Sequence, residues 1–108
     1  MMKVNVTISG NTAIIGVQGR IDTITAGEFE ASLLPLTEKH AHLVVDCSQL
    51  DYISSSGLRV FLMAQKKLTA TAGKLRLCNL QPTIREIFDI SGFSSIFAIY
   101  PDLQSASQ

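Results

Sequence analysis

The stretch "HLVVDCSQLDYISSSGLRVFL", residues 42–62, decides how the chain is read. Its first part, "HLVVDCS" (42–48), is short, β-branched and apolar, the pattern of a strand covered on both faces, and reads as the central strand of a sheet. From Leu58 the apolar residues fall at 58, 61, 62 and 68, a helical spacing, and Gly73 stands where a C-terminal cap belongs. Between strand and helix lie Ser54, Ser55 and Ser56, followed by Gly57. In an open α/β sheet such a connection sits at the carboxyl end of a strand, where ligands and partners are met.

Upstream, "KVNVTIS" (3–9) alternates with a period of two, "GN" at 10–11 is a turn signal and "TAIIGVQG" (12–19) is a second apolar run, which predicts an opening β-hairpin. The segment "TITAGEFEASLLPL" changes period: Thr25 and Glu28 fit a capping box, Phe29, Leu33 and Leu36 recur at helical spacing, and Pro35 predicts a kink or an end. Downstream, "KLRLCN" (74–79) reads as a strand. "QPTIREIFDISGF" reads as a helix with Pro82 near its start and Gly92 at its stop, and "SSIFAIY" (94–100) as a short last strand. The order β-β-α-β-α-β-α-β implies right-handed crossovers: an α/β fold with a four- or five-stranded mixed, mainly parallel sheet, an N-terminal hairpin and three main helices. The tail "PDLQSASQ" (101–108) reads as frayed.

A chain of 108 residues, 46% hydrophobic, suits one domain around one core. Zero formal net charge without charge blocks argues against nucleic acid as a direct partner. No run approaches the about 18 apolar residues of a membrane span, and the N-terminus lacks the apolar core of a signal peptide, so the chain reads as soluble and cytoplasmic. Cys47 and Cys78 lie in apolar strand-like runs and read as buried thiols. His40 and His42 are two apart, a spacing that can chelate metal, but without a carboxylate or thiol motif beside them they read as a loop-to-strand junction.

The serine run has several chemical readings. One serine suffices as a helix N-cap, worth about 1 kcal/mol, with the others as loop polar residues. Nucleophilic catalysis lacks the G-x-S-x-G elbow, and the only histidines lie at the start of the preceding strand, the opposite end of the sheet. A phosphate-binding loop lacks G-x-x-x-x-G-K-[ST]. Covalent modification fits better: a phosphate at a helix start gains from free N–H donors, and its charge of about −1.5 to −2 rejects a partner that docks there. Asp46, Asp51 and Asp22 would reinforce that repulsion if they lie nearby.

Residues 42–62 resemble the signature of STAS domains, in particular the stand-alone bacterial anti-sigma factor antagonists. "VQGRID" (17–22) resembles the family's G-x-[LIV]-D element, and "GKLRLCNLQPTIREIFDISGFSSIF" (73–97) its strand, third helix and closing segment. The resemblance implies a single STAS domain over residues 1–100 with a flexible tail over 101–108. It implies no enzyme activity, no cofactor and no metal. It implies a partner switch in which the unmodified domain binds an anti-sigma factor that is a serine/threonine kinase, so releasing a sigma factor. The kinase then phosphorylates the domain and ends the interaction, and a serine phosphatase reverses the mark. By the same resemblance the modified serine precedes the glycine, which is Ser56, with Ser55 the second candidate. The partner surface comprises Asp22, Ser54, Ser55, Ser56, Gly57, Leu58 and Arg59. Many relatives carry aspartate where this chain has Ser54. Gly57 serves either close approach by the kinase or relief of crowding at the helix start; Arg59 is either simply exposed or pairs with a partner carboxylate or the phosphoserine. Two other readings stand beside this one: a STAS subunit of a lipid-transport ABC complex, and a small-ligand or nucleotide sensor using the Asp22 and Ser54 loops.

Overall fold

Strands β1 (Met2–Ser9) and β2 (Thr12–Ile21) form the antiparallel hairpin that "GN" predicts, with Ser9 paired to Thr12 across the turn. The computed structural model describes residues 2–108. After β2 come α1 (Ala26–Lys39), β3 (His42–Ile53), α2 (Ser55–Ala70), β4 (Lys74–Cys78) and α3 (Pro82–Ile90). A 3-10 turn (Phe93–Ser95), β5 (Ala98–Tyr100) and α4 (Leu103–Ala106) close the chain. The five strands lie in the order β1-β2-β3-β4-β5, with β2 through β5 parallel, so β3 is central and the hairpin supplies one edge. No helix among the described residues is long and apolar enough to cross a membrane.

The main core lies on one face of the sheet. Ala13, Ile15 and Val17 of β2, Leu43, Val45 and Cys47 of β3, and Leu75 and Leu77 of β4 point there at the period of two that strands impose. Phe61 of α2 is the hub of the helical layer. Its ring centroid is 5.1 Å from that of Phe29 in α1, 6.0 Å from Phe88 in α3 and 6.2 Å from Phe97, at the tilted or edge-on angles that aromatic quadrupoles favour. The second face carries a smaller cluster: Val44 and Cys78, both fully buried, lie under Ala106 of α4 with Ile14, Tyr100 and Leu103 around them.

Several expectations are corrected here. Residues 101–108, expected as a frayed tail, hold a helical turn capped by Asp102, whose carboxylate accepts from Ser105 N–H at 2.8 Å, and the turn buries Ala106. The count of helices rises accordingly, and the last strand is only three residues long because a 3-10 turn takes up Phe93–Ser95. Helix α1 runs through Pro35 to Lys39; the lost donor is one N–H, and the rest of the ladder carries the helix on. At the end of α2 the left-handed residue is Ala72 (φ 61°), not Gly73. Gly73 is needed for room instead: a Cβ there would stand 2.6 Å from the Ala41 carbonyl oxygen.

Cys78 offers a direct readout of the second face. Burial, with Asp46 and Asp102 nearby, pushes its thiol up to about 11. A chain truncated after Tyr100 is expected to react with a thiol reagent at Cys78 at least about tenfold faster than the full chain, while Cys47, within the main core, stays protected. Mass mapping of the labelled cysteine checks it; equal protection of Cys78 in both chains would mean that α4 does not cover it.

Candidate functional site at the start of helix α2

Strand β3 does not stop at Ser48. It continues to Ile53, staying paired with β2 through two register shifts, and the pairs Gly19–Leu50 and Ile21–Ile53 carry both strands to the same end of the sheet. The expected loop between strand and helix is therefore one residue long. Ser54 has extended backbone (φ −90°, ψ 173°), its Oγ accepts from Gly57 N–H at 3.3 Å, and Leu58 N–H donates to its carbonyl at 3.0 Å. Its own N–H donates to the Ile21 carbonyl at 2.8 Å, which ties the helix start to the end of β2. Ser54 is the N-cap.

The other two serines are in the first turn of α2, not in a loop. Ser55 is exposed, whereas Ser56 is half-buried in a groove of about 430 Å³ between the starts of α1 and α2. Arg59 and Met63 follow Ser56 along one wall; Thr23, Gly27 and Glu30 form the other. Among the described residues neither Ser55 nor Ser56 has a hydrogen-bond partner for its hydroxyl, and Arg59 is exposed with no ion pair. Thr23, Gly27, Glu30 and Met63 were missed by sequence reasoning. Their signal is a spacing of i, i+3/i+4 running from the turn before α1 into that helix (Thr23, Gly27, Glu30) and along α2 (Ser56, Arg59, Met63), which becomes a groove only once the helices are side by side.

Gly57 answers to packing. A Cβ on it would stand 2.6 Å from Ile21 Cγ2 and 2.8 Å from Ile53 Cγ1, distances at which atoms must move. Relief of crowding is thus its role in the folded chain. Leu58 and Phe61 are core, as expected, while Leu62 is only partly covered.

Asp22 replaces the expected capping box. Its Oδ1 accepts from Ile24 N–H at 2.9 Å and Thr25 N–H at 3.0 Å, and its carbonyl accepts from Ala26 N–H at 2.9 Å. Thr25 precedes α1 with helical backbone angles (φ −88°, ψ −12°), so its side chain is not in N-cap geometry and makes no cap bond. Its Oγ1 donates to the Arg20 carbonyl at 2.8 Å and accepts from Asp22 N–H at 2.9 Å. The Thr25 N–H bond, with help from Ile24, the Thr25 hydroxyl and Arg20, holds the Asp22 carboxyl below the usual carboxylate range. Arg20 lies 4.0 Å from Asp22 Oδ2 and 4.3 Å over the Tyr52 ring. The turn leaves Ile24 88% exposed beside the groove.

The structure brings the Asp22 loop and the serines together, because Thr23 and Ser56 share one groove. It does not bring Asp46 or Asp51 there. Asp46 pairs with Cys78 in the sheet and accepts from Asn79 Nδ2 at 3.1 Å; Asp51 is exposed on β3, 3.5 Å from Gln81 Nε2. His40 caps the end of α1 and His42 opens β3, both at the far end of the sheet from Ser54. No group of three or more potential metal ligands exists among the described residues.

Residues 3–106 match the STAS domain model, and the chain belongs to the STAS domain family. The match includes α4. The chain is 39% identical over 107 residues to the Bordetella bronchiseptica protein named "Putative anti-sigma factor antagonist BtrV", covering 98% of this chain and 92% of that protein. Its fold is similar to that of an anti-sigma factor antagonist from Mycobacterium paratuberculosis (TM-score 0.90, 24% identity, 98% and 91% coverage). It is also similar to that of the Bacillus cell fate determinant SpoIIAA in its phosphorylated form (TM-score 0.73, 20% identity, 99% and 97% coverage). Antagonists of this kind are regulatory binding proteins and not enzymes.

Three substitutions test the local account. Ser54→Ala is expected to lower unfolding stability by about 1 kcal/mol through loss of the cap, and Ser54→Asp to retain most of it. Gly57→Ala is expected to cost about 1–2 kcal/mol net, because overpacking against Ile21 and Ile53 outweighs the gain in helix propensity. Urea unfolding measures all three; a stabilised Gly57→Ala chain would contradict the crowding. The lowered Asp22 carboxyl stabilises the folded chain above the unfolded value of about 3.9 and ceases to do so as pH falls through its lower folded value. Protection of the Ile24 and Thr25 amides from hydrogen exchange should fall in that acid range, and in Asp22→Ala at any pH.

Proposed function

We propose that this chain is an anti-sigma factor antagonist whose docking surface is the start of α2 and the Asp22 loop, switched off by phosphorylation at Ser56. The observation that carries the reading is the separation of the three serines: Ser54 is committed to the cap, Ser55 is exposed and does not line the groove, and Ser56 offers an unbonded hydroxyl inside it. The names of the relatives weigh toward an antagonist rather than a lipid-transport subunit or a ligand sensor.

The unmodified surface is nearly neutral, with Glu30 facing Arg59, and displays Ile24 at its rim. An anti-sigma factor with serine kinase activity docks on it and gives up its sigma factor. In the transfer step the Ser56 Oγ–P bond forms as the bond between the γ-phosphorus of ATP and its bridging oxygen breaks; ADP leaves, and the hydroxyl proton passes to a base of the kinase. The product carries about −1.5 to −2 charges where there was a neutral hydroxyl, which repels the acidic groups of the docked kinase and its bound nucleotide. A serine phosphatase hydrolyses the ester and restores binding. Asp22 enters mainly as the residue that holds the neighbouring loop, since Oδ1 is taken up by backbone N–H groups.

Incubation with the cognate kinase and ATP is expected to add one phosphate, about 80 Da by intact mass. Ser56→Ala should abolish the addition, while Ser55→Ala should retain it. An unmodified protein in the presence of an active kinase would sink the reading, and transfer surviving in Ser56→Ala would move the site.

A further inference from the structure

We infer that Arg59 is the built-in receiver of the phosphate on Ser56, so that modification withdraws the groove's one cation from partners as well as adding negative charge. The inference rests on the switch reading above and concerns how that switch works within the chain.

Ser56 and Arg59 are three residues apart on α2, so their Cβ atoms are neighbours about 5–6 Å apart on one helix face. Helical side chains lean back toward the N-terminus, which carries the guanidinium from position 59 over the turn that bears Ser56. Both residues line the same groove, as does Glu30 on the α1 wall. Arg59 is exposed and has no ion pair among the described residues, in contrast to Arg20 with Asp22 and Arg85 with Asp89. Arg59 is the fifth residue of α2, one turn on from the residues on which the helix dipole acts most strongly.

A phosphate on Ser56 changes that balance. Its oxygens are repelled by Glu30 across the groove and by the Asp22 carboxylate in the adjoining loop, which leaves the Arg59 side of the groove as the favourable one. The planar guanidinium offers paired N–H donors matched to phosphate oxygens. In the unmodified chain the same guanidinium is available to an acidic group on the partner. Phosphorylation then has two effects on docking, a new charge and a captured arginine.

The test installs phosphoserine at position 56 of the full chain during translation, without any kinase, and follows the second ionisation of the phosphate by ³¹P NMR at low salt. The midpoint is expected to lie at least about half a pH unit lower with Arg59 than in Arg59→Gln, with Arg59→Lys between them. Glu30→Gln should lower it further, and about 1 M salt should remove most of the difference between Arg59 and Arg59→Gln. Coincident midpoints for the Arg59 and Arg59→Gln chains would overturn the pairing. That result is independent of the kinase experiment above: absence of transfer to Ser56 removes the switch itself, whereas coincident midpoints remove only the role of Arg59.

Discussion

The close approach of α2 to the sheet at Gly57 governs how the site is built. With no side chain at that position, the first turn of the helix settles between Ile21 and Ile53, the last residues of the paired strands β2 and β3. The Ser54 N–H bond to the Ile21 carbonyl fixes the same junction from the backbone side. Two consequences follow. The strand-to-helix connection shrinks to a single capping residue, so the serines after it are held by helical geometry. And β2, pinned at its end, delivers Asp22 and its turn alongside α2, which creates the second wall of the groove.

This arrangement divides labour among residues that look alike in the sequence. Asp22 and Ser54 spend their oxygens on backbone N–H groups and so set the position of α1 and α2. Ser56, Arg59 and Glu30 spend nothing on the fold and face the groove. The second set can change without disturbing the first. The cap bond between Ser54 and Gly57 makes no use of the Ser56 hydroxyl.

Much of the architecture was legible because it is written in local periodicity. The period of two in β1 and β4, the apolar run of β2, the helical spacing from Leu58 and the β-branched run at 43–45 each identify an element without reference to the rest of the chain. The misses have a common cause in interactions that are not local. Residues 49–53 lose clean alternation where the β2–β3 ladder shifts register, so the end of β3 read as loop. Thr25 and Asp22 are both capping residue types, and only the backbone angles decide between them. The serines, Asp22 and Arg59 stand out as candidates from pattern and resemblance, but the opposing wall of the groove depends on how two helices lie against each other. The tail shows the limit most clearly. The run at 42–48 called for cover on both faces, yet the segment that supplies part of that cover was too short and too polar to be read as a helix.

That cover also gives the molecule two sides with separate duties. The groove lies among the helices of the main core, whereas α4 closes the cluster on the reverse face of the sheet with Ala106 against Val44 and Cys78. A fluorophore attached on α4 therefore stands at the back of the sheet, away from the groove. The reverse face is the natural place to tether this domain, whether to an instrument surface or to a reporter, with the groove left open to solvent.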